Sequence, residues 1–318
     1  MHHTQDHTQD HTQIQTFVRG KAEDTVTGEL LAQVQRLAAF CDDELEGENG
    51  NEVGGNPAGV WIGERLPDTD TMQHLAAVVG YSETVFAVPQ SEGWQVRYFS
   101  PESEVPFCGH ATIALGAALA RAHGKREFPL HLLASGTRIT VEGWRDGAGY
   151  GAALQSPPTR SVRADAALVD AALALFDYTR GDLDARIAPA LAHAGAQHLV
   201  LALNSRERLR EMRYDLDAGR RLMREAGLVT IALIYARGDT TFDVRNPFAS
   251  GGVYEDPATG AAAAACAGYL RDLGWPHGGA IEIVQGEDMG CRSRIRAEIP
   301  AATGASIRVI GKARVLAV

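Results

Sequence analysis

A glutamate at the start of an apolar strand has the clearest potential for proton transfer. Glu83 lies between Ser82 and Thr84 and is followed by the apolar run VFAVP. A carboxylate in this position loses part of its hydration, and desolvation raises its pKa toward neutrality. Such a group can both remove and return a proton. A solvated glutamate at a strand end has the same sequence pattern, so position alone makes Glu83 a candidate without deciding its role.

Further polar residues stand at the starts of two predicted helices. Cys108 and His110 stand just before the helical run ATIALGAALARAHG, which starts at Ala111. Asp256 stands before the alanine run Ala261–Ala265. His110 can hydrogen-bond a substrate carboxylate or amine, or cap the helix. The field of the helix start lowers the pKa of a thiol, which makes Cys108 a possible second acid/base. Asp256 can orient a substrate amino group, although aspartate is also common at helix starts for structural reasons.

The two helix starts belong to an internal repeat. EVPFCGHATIALGAAL begins at Glu104, and EDPATGAAAAACAGYL begins at Glu255, 151 residues later. The Glu-x-Pro-x-x-Gly pattern is common to both copies, and each copy follows a Val-Arg pair, Val96-Arg97 or Val244-Arg245. A repeated strand–loop–helix unit predicts two similar halves.

The helices of both copies are rich in alanine and glycine and apolar on every side, which is typical of buried helices. Unpaired backbone N–H groups and the helix dipole make a helix start attractive to anions. If the two halves face each other about a pseudo-two-fold axis, the starts at Gly109 and Gly260 point into one cleft. A carboxylate would fit between them.

Other elements are predicted around these helices by their apolar periodicity and turn residues. The segment GENGNEVGGNP, from Gly47, is predicted to be a loop. Strands are predicted over VQRLAAFC, ETVFAVP, WQVRYF, His131–Leu133, Arg138–Val141, His198–Leu203, Val229–Ala236 and Thr241–Val244, and helices over Asp68–Gly80, Ala164–Leu175 and Asp215–Glu225.

Five segments, in order along the chain, resemble the signature segments of the phenazine-biosynthesis PhzF-like proteins. They are GNPAGV, YSETVFAVP, RYFSPESEVPFCGHAT, EDPATG and QGEDMG, and the resemblance covers residues 36–318. It implies a fold similar to that of diaminopimelate epimerase. That is an α+β fold of two pseudo-symmetric domains, each a mixed, mostly antiparallel sheet wrapped around a central helix.

The resemblance and the repeat together predict the domain boundaries. Residues 1–33 are expected to be a disordered or additional N-terminal tail. Residues 34–150 together with 307–318 would form the N-terminal half, and residues 151–306 the C-terminal half. The last strand of the chain is thus expected to return to the first half.

The resemblance also implies a function. It indicates a cofactor-independent, homodimeric isomerase that shifts a proton on a small carboxylate-bearing amino or hydroxy acid, without a metal. Carried over by position, Glu83 is the catalytic acid/base. The residues implied to bind the substrate are Ser82, Gly109, His110, Asp256, Thr259, Gly260 and Ala261.

This chain departs from the family pattern in two places. The family commonly has a serine where Ala261 stands, so one hydroxyl donor is missing and the substrate can differ from that of the best-known member, a dihydro-hydroxyanthranilate. The order Gly290-Cys291-Arg292-Ser293 replaces a common Gly-Arg-Pro-Ser. The second departure affects the expected geometry of the adjoining loop.

Two other functions stay open. An epimerase or racemase would use Glu83 or Cys108 on one face of the substrate and another group on the opposite face. His198 in GAQHLVLAL is a candidate for that second group, since it heads a strand in a context like that of Glu83, although a core or capping role fits equally. A two-thiol mechanism lacks a cysteine at the second helix start, because Cys266 lies inside the helix. The other possibility is a binding protein that kept the fold and lost the chemistry.

Composition points to small-molecule partners. The chain of 318 residues has a net charge of −10, which argues against nucleic acid and anionic membranes as partners. It has no apolar run of membrane-spanning length, and its four scattered cysteines predict reduced thiols in the cytoplasm. The N-terminal HTQD repeat lacks the pattern of a secretory signal, and its histidines, His2, His3, His7 and His11, are assigned no role.

Overall fold

A computed structural model describes residues 28–42 and 54–317 of the chain. The HTQD repeat and most of the predicted GENGNEVGGNP loop lie outside the described residues. The helices are α1, which includes residues 28–33, α2 (Thr69–Val79), α3 (Gly109–His123), α4 (Ala166–Leu175), α5 (Arg206–Arg210), α6 (Leu216–Glu225) and α7 (Gly260–Leu273). The strands are β1 (Gln35–Cys41), β2 (Asn56–Ile62), β3 (Glu83–Gln90), β4 (Gly93–Phe99), β5 (Glu104–Val105), β6 (Arg126–Leu132), β7 (Thr137–Asp146), β8 (Gly149–Gln155), β9 (Arg160–Arg163), β10 (Ala190–His193), β11 (Gln197–Leu203), β12 (Thr230–Ala236), β13 (Thr241–Arg245), β14 (Pro247–Phe248), β15 (Val253–Glu255), β16 (Ala280–Gln285), β17 (Ser293–Glu298) and β18 (Arg308–Val315).

The first half is a closed sheet around helix α3. Its strand order is β1-β2-β3-β4-β6-β7-β8-β18, and β18 pairs back onto β1. The pairs β2–β3 and β4–β6 are parallel, and the others are antiparallel. Every residue of α3 from Gly109 to Ala120 is buried. Small residues make this possible, since a Cβ on Gly116 would lie 2.5 Å from Cγ2 of Val141.

The second half repeats the arrangement around helix α7. Its strand order is β17-β16-β13-β12-β11-β10-β9, with β11–β12 and β13–β16 parallel. Helix α7 is buried from Gly260 to Arg271. The pairing of β17 with β18 joins the two sheets. This architecture confirms the predicted fold class of mixed sheets wrapped around two central helices.

The internal repeat corresponds to one ion pair in each half. Nε and Nη2 of Arg97 lie 2.7 Å from Oε1 and Oε2 of Glu104. Arg245 makes the same two bonds to Glu255, at 3.0 and 2.5 Å. Bidentate pairs of this kind hold a fixed geometry. In both halves the pair ties the end of a strand to the loop that leads into the central helix.

Several predicted elements match the structure, and α2 shows why. The Asp68 side chain accepts a hydrogen bond from the Thr71 N–H at 2.8 Å, and Gly80 ends the helix with φ of 71°. The sequence does not predict strand β2, whose first two residues belong to the predicted loop GENGNEVGGNP. Its burial shows no two-residue alternation, because both faces are covered, and Gly and Pro in the sequence indicate a turn.

The structure bears on two details of the predicted organisation. Strand β18 pairs with β1 and β8 of the first half. The predicted boundary at residue 150 falls inside β8, whose partners are β7 and β18, so a boundary after Gln155 fits the pairing better. Within the described ranges, no helix combines the length and apolar character needed to cross a membrane.

Candidate active site

The two central helices meet at their N-termini. A Cβ on Gly109 would lie 2.8 Å from both the Gly260 Cα and the Ala261 nitrogen, and a Cβ on Gly260 would lie 3.2 Å from the Gly109 Cα. Only glycine allows two backbones to approach this closely. The residues before the helices, Cys108 and Thr259, do not cap them through their side chains. Two positive helix ends therefore converge on one region, which favours an anionic group there.

Glu83 lies beside the start of α3. It is the first residue of β3, pairs with Ala58 of β2, and is only 4% exposed. Its Oε2 atom is 3.5 Å from Nε2 of His110. The Cys108 sulfur is 3.3 Å from Nδ1 of the same imidazole, and the Ser82 hydroxyl is 3.3 Å from Nε2. The fold thus gathers three other predicted candidates around the ring of His110.

Burial controls protonation in this cluster. It raises the pKa of Glu83 to about 8, with the negative charge of Asp256 adding to the rise and hydrogen bonds from Ser82 and Cys108 opposing it. Burial also lowers the pKa of His110 to about 3. Near neutral pH, the contact between Glu83 and His110 is therefore mainly between uncharged groups rather than an ion pair.

The predicted effect on Cys108 was wrong. The field of the helix start was expected to lower the pKa of this thiol, but burial raises it well above the ordinary value, and the nearby charge of Glu83 adds to the rise. Desolvation outweighs the helix dipole because the residue is only 7% exposed. Cys108 is consequently a thiol that can donate a hydrogen bond to Glu83, not a ready thiolate.

A second group of polar residues surrounds Asp256 at the start of α7. Asp256 accepts hydrogen bonds from Nδ2 of Asn56 at 2.6 Å and from the Thr259 hydroxyl at 2.5 Å. Burial raises its pKa to about 7, although these two hydrogen bonds lower it. The Ser82 hydroxyl lies 3.4 Å from Oδ1 of Asn56. The Glu83 and Asp256 groups are thus linked across the two halves.

Asn56 and Gln285 were not among the predicted site residues. Asn56 Nδ2 also donates to the Ala258 carbonyl at 3.0 Å. Gln285 Nε2 donates to the carbonyl of Asp256 at 2.7 Å, and its Oε1 accepts from the Thr259 N–H at 3.2 Å. Both amides are buried, and both lie in segments quoted for the family resemblance, GNPAGV and QGEDMG. That membership was the only available signal.

The comparison of His198 with Glu83 was also wrong. Strands β11 and β12 pair from His198 and Thr230 onward, as β2 and β3 pair from Ala58 and Glu83. The counterpart of Glu83 is therefore Thr230, and His198 corresponds to Ala58. His198 is fully buried, with Nδ1 2.7 Å from the Thr230 hydroxyl, and burial lowers its pKa to about 3.

Ala261 is the second residue of α7 and is buried, as His110 is the second residue of α3. An alanine here offers the backbone N–H alone.

The atoms of Glu83, Cys108 and His110 that could ligate a metal ion lie within 4.8 Å of one another, close enough to hold one. The expectation that the enzyme uses no metal remains a prediction.

Comparisons with known proteins agree with this picture. The family model described as phenazine biosynthesis-like protein (PhzC-PhzF) matches residues 50–317. An uncharacterized isomerase of Mesorhizobium japonicum is 32% identical over 279 residues, covering 82% of this chain and 91% of the relative. An uncharacterized isomerase of Deinococcus radiodurans is 34% identical over 227 residues, covering 69% and 72%.

Solved structures give the same result for the fold. A protein from Pseudomonas aeruginosa named a predicted epimerase is 25% identical, with a TM-score of 0.76, covering 89% of this chain and 96% of that chain. A hydroxyproline epimerase from Agrobacterium vitis is 12% identical, with a TM-score of 0.57 and coverage of 90% and 91%, which shows a shared fold. The names of the relatives support the predicted enzyme class of isomerase. From its motifs, its fold and the match over residues 50–317, the chain belongs to the phenazine biosynthesis-like (PhzC-PhzF) protein family.

Proposed function

We propose that this protein is a cofactor-independent isomerase that shifts a proton within a small carboxylate-bearing amino or hydroxy acid, with Glu83 as its acid/base. The observation that carries the proposal is the position of Glu83. It is buried at the junction of two helix starts and is surrounded by Ser82, Cys108 and His110.

The starts of α3 and α7 would bind the substrate. Its carboxylate would accept hydrogen bonds from backbone N–H groups at Gly109–His110 and at Thr259–Ala261, where both helix dipoles favour negative charge. Asp256, held by Asn56 and Thr259, would accept a hydrogen bond from an amino or hydroxyl group of the substrate. These contacts fix which carbon faces Glu83.

Glu83 would then act twice. Its carboxylate removes a proton from one carbon, so that a C–H bond breaks and an O–H bond forms. The electron pair left on the substrate moves into the adjacent unsaturated system, and the new carboxylic acid returns the proton to a second carbon. A pKa of about 8 suits both steps, because it is close enough to neutral pH for a usable fraction of Glu83 to be ionised as the base, while the protonated form can return the proton.

The test uses Glu83→Gln, which keeps the size of the side chain but cannot accept a proton. Turnover and solvent-deuterium incorporation should fall by about 10² to 10⁴, the usual contribution of general acid–base catalysis, while binding of the carboxylate ligand persists. Glu92→Gln is a control, since the Glu92 side chain is 79% exposed. Full activity in Glu83→Gln would end the mechanism.

An epimerase is the second candidate. Asp256 belongs to the other half and has a pKa raised to about 7, so it could act on the opposite face of a substrate carbon. The Pseudomonas aeruginosa relative carries an epimerase name. Cys108 is a poorer second group, because it lies on the same side as Glu83 and touches the same imidazole.

The two chemistries differ in their products. Epimerisation changes optical rotation and places solvent deuterium at the inverted centre, and Asp256→Asn would abolish it. In a proton-shifting isomerase, Asp256→Asn would mainly raise KM, and Cys108→Ala would cost little. A binding protein without chemistry would show no deuterium exchange in any variant.

We further propose that the protein is a homodimer in the cytoplasm. Sedimentation of the purified protein would test the dimer, because it measures the mass of the assembly.

A further inference from the structure

The second half has a buried glutamine where the first half has a leucine. In the second half, β13 pairs in parallel with β16, and Val244 lies opposite Gln285. In the first half, β4 pairs in parallel with β6, and Val96 lies opposite Leu132. Since both valines belong to the repeated Val-Arg pairs, Gln285 and Leu132 are counterparts. Leu132 packs in the apolar core, so the fold itself does not require a polar side chain at this position.

The side-chain amide of Gln285 bonds the turn that leads into α7. Its Oε1 atom accepts from the Thr259 N–H at 3.2 Å, and its Nε2 atom donates to the Asp256 carbonyl at 2.7 Å. A backbone N–H only donates and a carbonyl only accepts, so these two bonds determine which way round the amide lies. The second hydrogen of Nε2 is left for the Thr259 hydroxyl, whose oxygen is 3.0 Å away.

These bonds set the direction of the next one. The Thr259 hydroxyl accepts from Gln285 and has a single hydrogen, which it donates to Oδ2 of Asp256 across 2.5 Å. Asn56 is oriented in the same way, because its Nδ2 atom donates to the Ala258 carbonyl at 3.0 Å and to Oδ1 of Asp256 at 2.6 Å. Both carboxylate oxygens of Asp256 therefore receive a donated hydrogen bond.

The backbone after Gln285 allows this close approach. Gly286 has a φ of 75°, and a Cβ on it would lie 2.8 Å from the carbonyl oxygen of Pro257. A glycine here lets the end of β16 lie directly against the turn at residues 256–259. The Gln285 side chain is only 1% exposed, so bulk solvent does not compete for its hydrogen bonds.

We propose that Gln285 is a positioning residue that fixes the Thr259 hydroxyl as a donor to Asp256 and so presents the Asp256 carboxylate to the substrate as an acceptor. This role rests on the proposed function, in which Asp256 accepts a hydrogen bond from an amino or hydroxyl group of the substrate. Without Gln285, the Thr259 hydroxyl is free to rotate, and the carboxylate loses a fixed donor together with its fixed orientation.

Matched ligand pairs test the effect on recognition. Calorimetry would compare alanine with propionate, lactate with propionate, and 2-aminobenzoate with benzoate, since each pair differs by one donor group. Wild type should bind the member with the donor about tenfold or more tightly in at least one pair, as expected for a hydrogen bond to a charged group. Asp256→Asn, Thr259→Val and Gln285→Met should each reduce this preference to about twofold or less. Thr259→Ser keeps the hydroxyl and should retain the preference.

A double variant shows whether Gln285 acts through Thr259. Gln285→Met combined with Thr259→Val should have the same preference as Thr259→Val alone, because both residues belong to one chain of hydrogen bonds. Leu132→Met changes the counterpart position of the first half and should leave the preference at its wild-type value. Gln285→Leu places the first-half residue in the second half and should repeat the result of Gln285→Met.

A purely structural role of Gln285 would give a different pattern. A loosened fold lowers the fraction of protein that binds and weakens both members of a pair alike, so their affinity ratio stays unchanged. An unchanged ratio in Gln285→Met, losses that add in the double variant, or no preference in wild type would overturn the proposal. Failure of both Gln285→Met and Gln285→Leu to fold would also overturn it, because the glutamine would then serve the fold itself. None of these results alters the Glu83→Gln test of exchange, so the proposed function is judged separately.

Discussion

The raised pKa of Glu83 has a consequence for folding that can be measured without a substrate. A carboxyl group whose pKa is higher in the folded state binds protons more tightly when folded. Its contribution is fully present below the unfolded pKa and is lost as pH rises through the folded value. For Glu83 these limits are 4.5 and about 8. The wild-type protein should therefore lose stability between these pH values.

The size of the effect follows from the shift. A tenfold change in proton affinity is worth about 1.4 kcal/mol, so the rise from 4.5 to about 8 corresponds to roughly 5 kcal/mol. A typical domain is stable by about 5–15 kcal/mol, so such a loss is a large part of the total. Glu83→Gln stays uncharged at every pH and avoids it. Relative to wild type, the variant should gain stability as pH rises.

The assay is urea denaturation followed by circular dichroism at pH 5, 7 and 9. At pH 5, wild type and Glu83→Gln should be close in stability. At pH 9 the variant should be more stable by several kcal/mol. The exposed Glu92→Gln variant should follow wild type throughout, since its side chain is 79% exposed. A difference between wild type and Glu83→Gln that does not change with pH would refute the raised pKa.

Two further predictions concern the junction of the two helix starts and the proposed base, Glu83. Gly109→Ala places a Cβ 2.8 Å from backbone atoms of the other helix, so it should cost about 1–3 kcal/mol of unfolding free energy, partly offset by better helix propensity. In Gly260→Ala the new Cβ lies 3.1–3.3 Å from its nearest neighbours, so this substitution should cost less. Equal costs in denaturant melts would contradict the close contact at Gly109. With Glu83 as base, kcat/KM should rise with pH up to about 8 and then level off, and a flat profile from pH 6 to 9 would exclude it.

The sequence predicted those parts of the fold that depend on local chemistry. The ends of α2 follow from the cap at Asp68 and the left-handed glycine at Gly80. The two halves follow from the repeat, because Arg97–Glu104 and Arg245–Glu255 preserve the same ion pair. Strand β8 was missed, since GYGAALQ has neither strong strand propensity nor alternation, and its identity depends on its partners β7 and β18.

The features of the site that the sequence does not predict are those that depend on contacts between residues far apart along the chain. Asn56 contacts Asp256, 200 positions later, and a neutral amide has no sequence pattern that announces such a bond. The pKa of Cys108 depends on how completely the thiol is buried, whereas the sequence shows only the helix start beside it. Local position therefore indicated which residues could carry the chemistry, and the packing between the halves decided their protonation.

The duplicated fold allows each candidate site residue to be compared with its counterpart in the other half. Glu83 corresponds to Thr230, and His110 corresponds to Ala261, so neither of these two groups has an ionisable counterpart in the second half. The second half contributes Asp256 at the start of its central helix. A racemase that treats both faces of a carbon alike needs similar groups on both sides, and this chain lacks that equivalence at the corresponding positions. The asymmetry favours one carboxyl group that carries a proton between two carbons, with the second half recognising the remainder of the substrate.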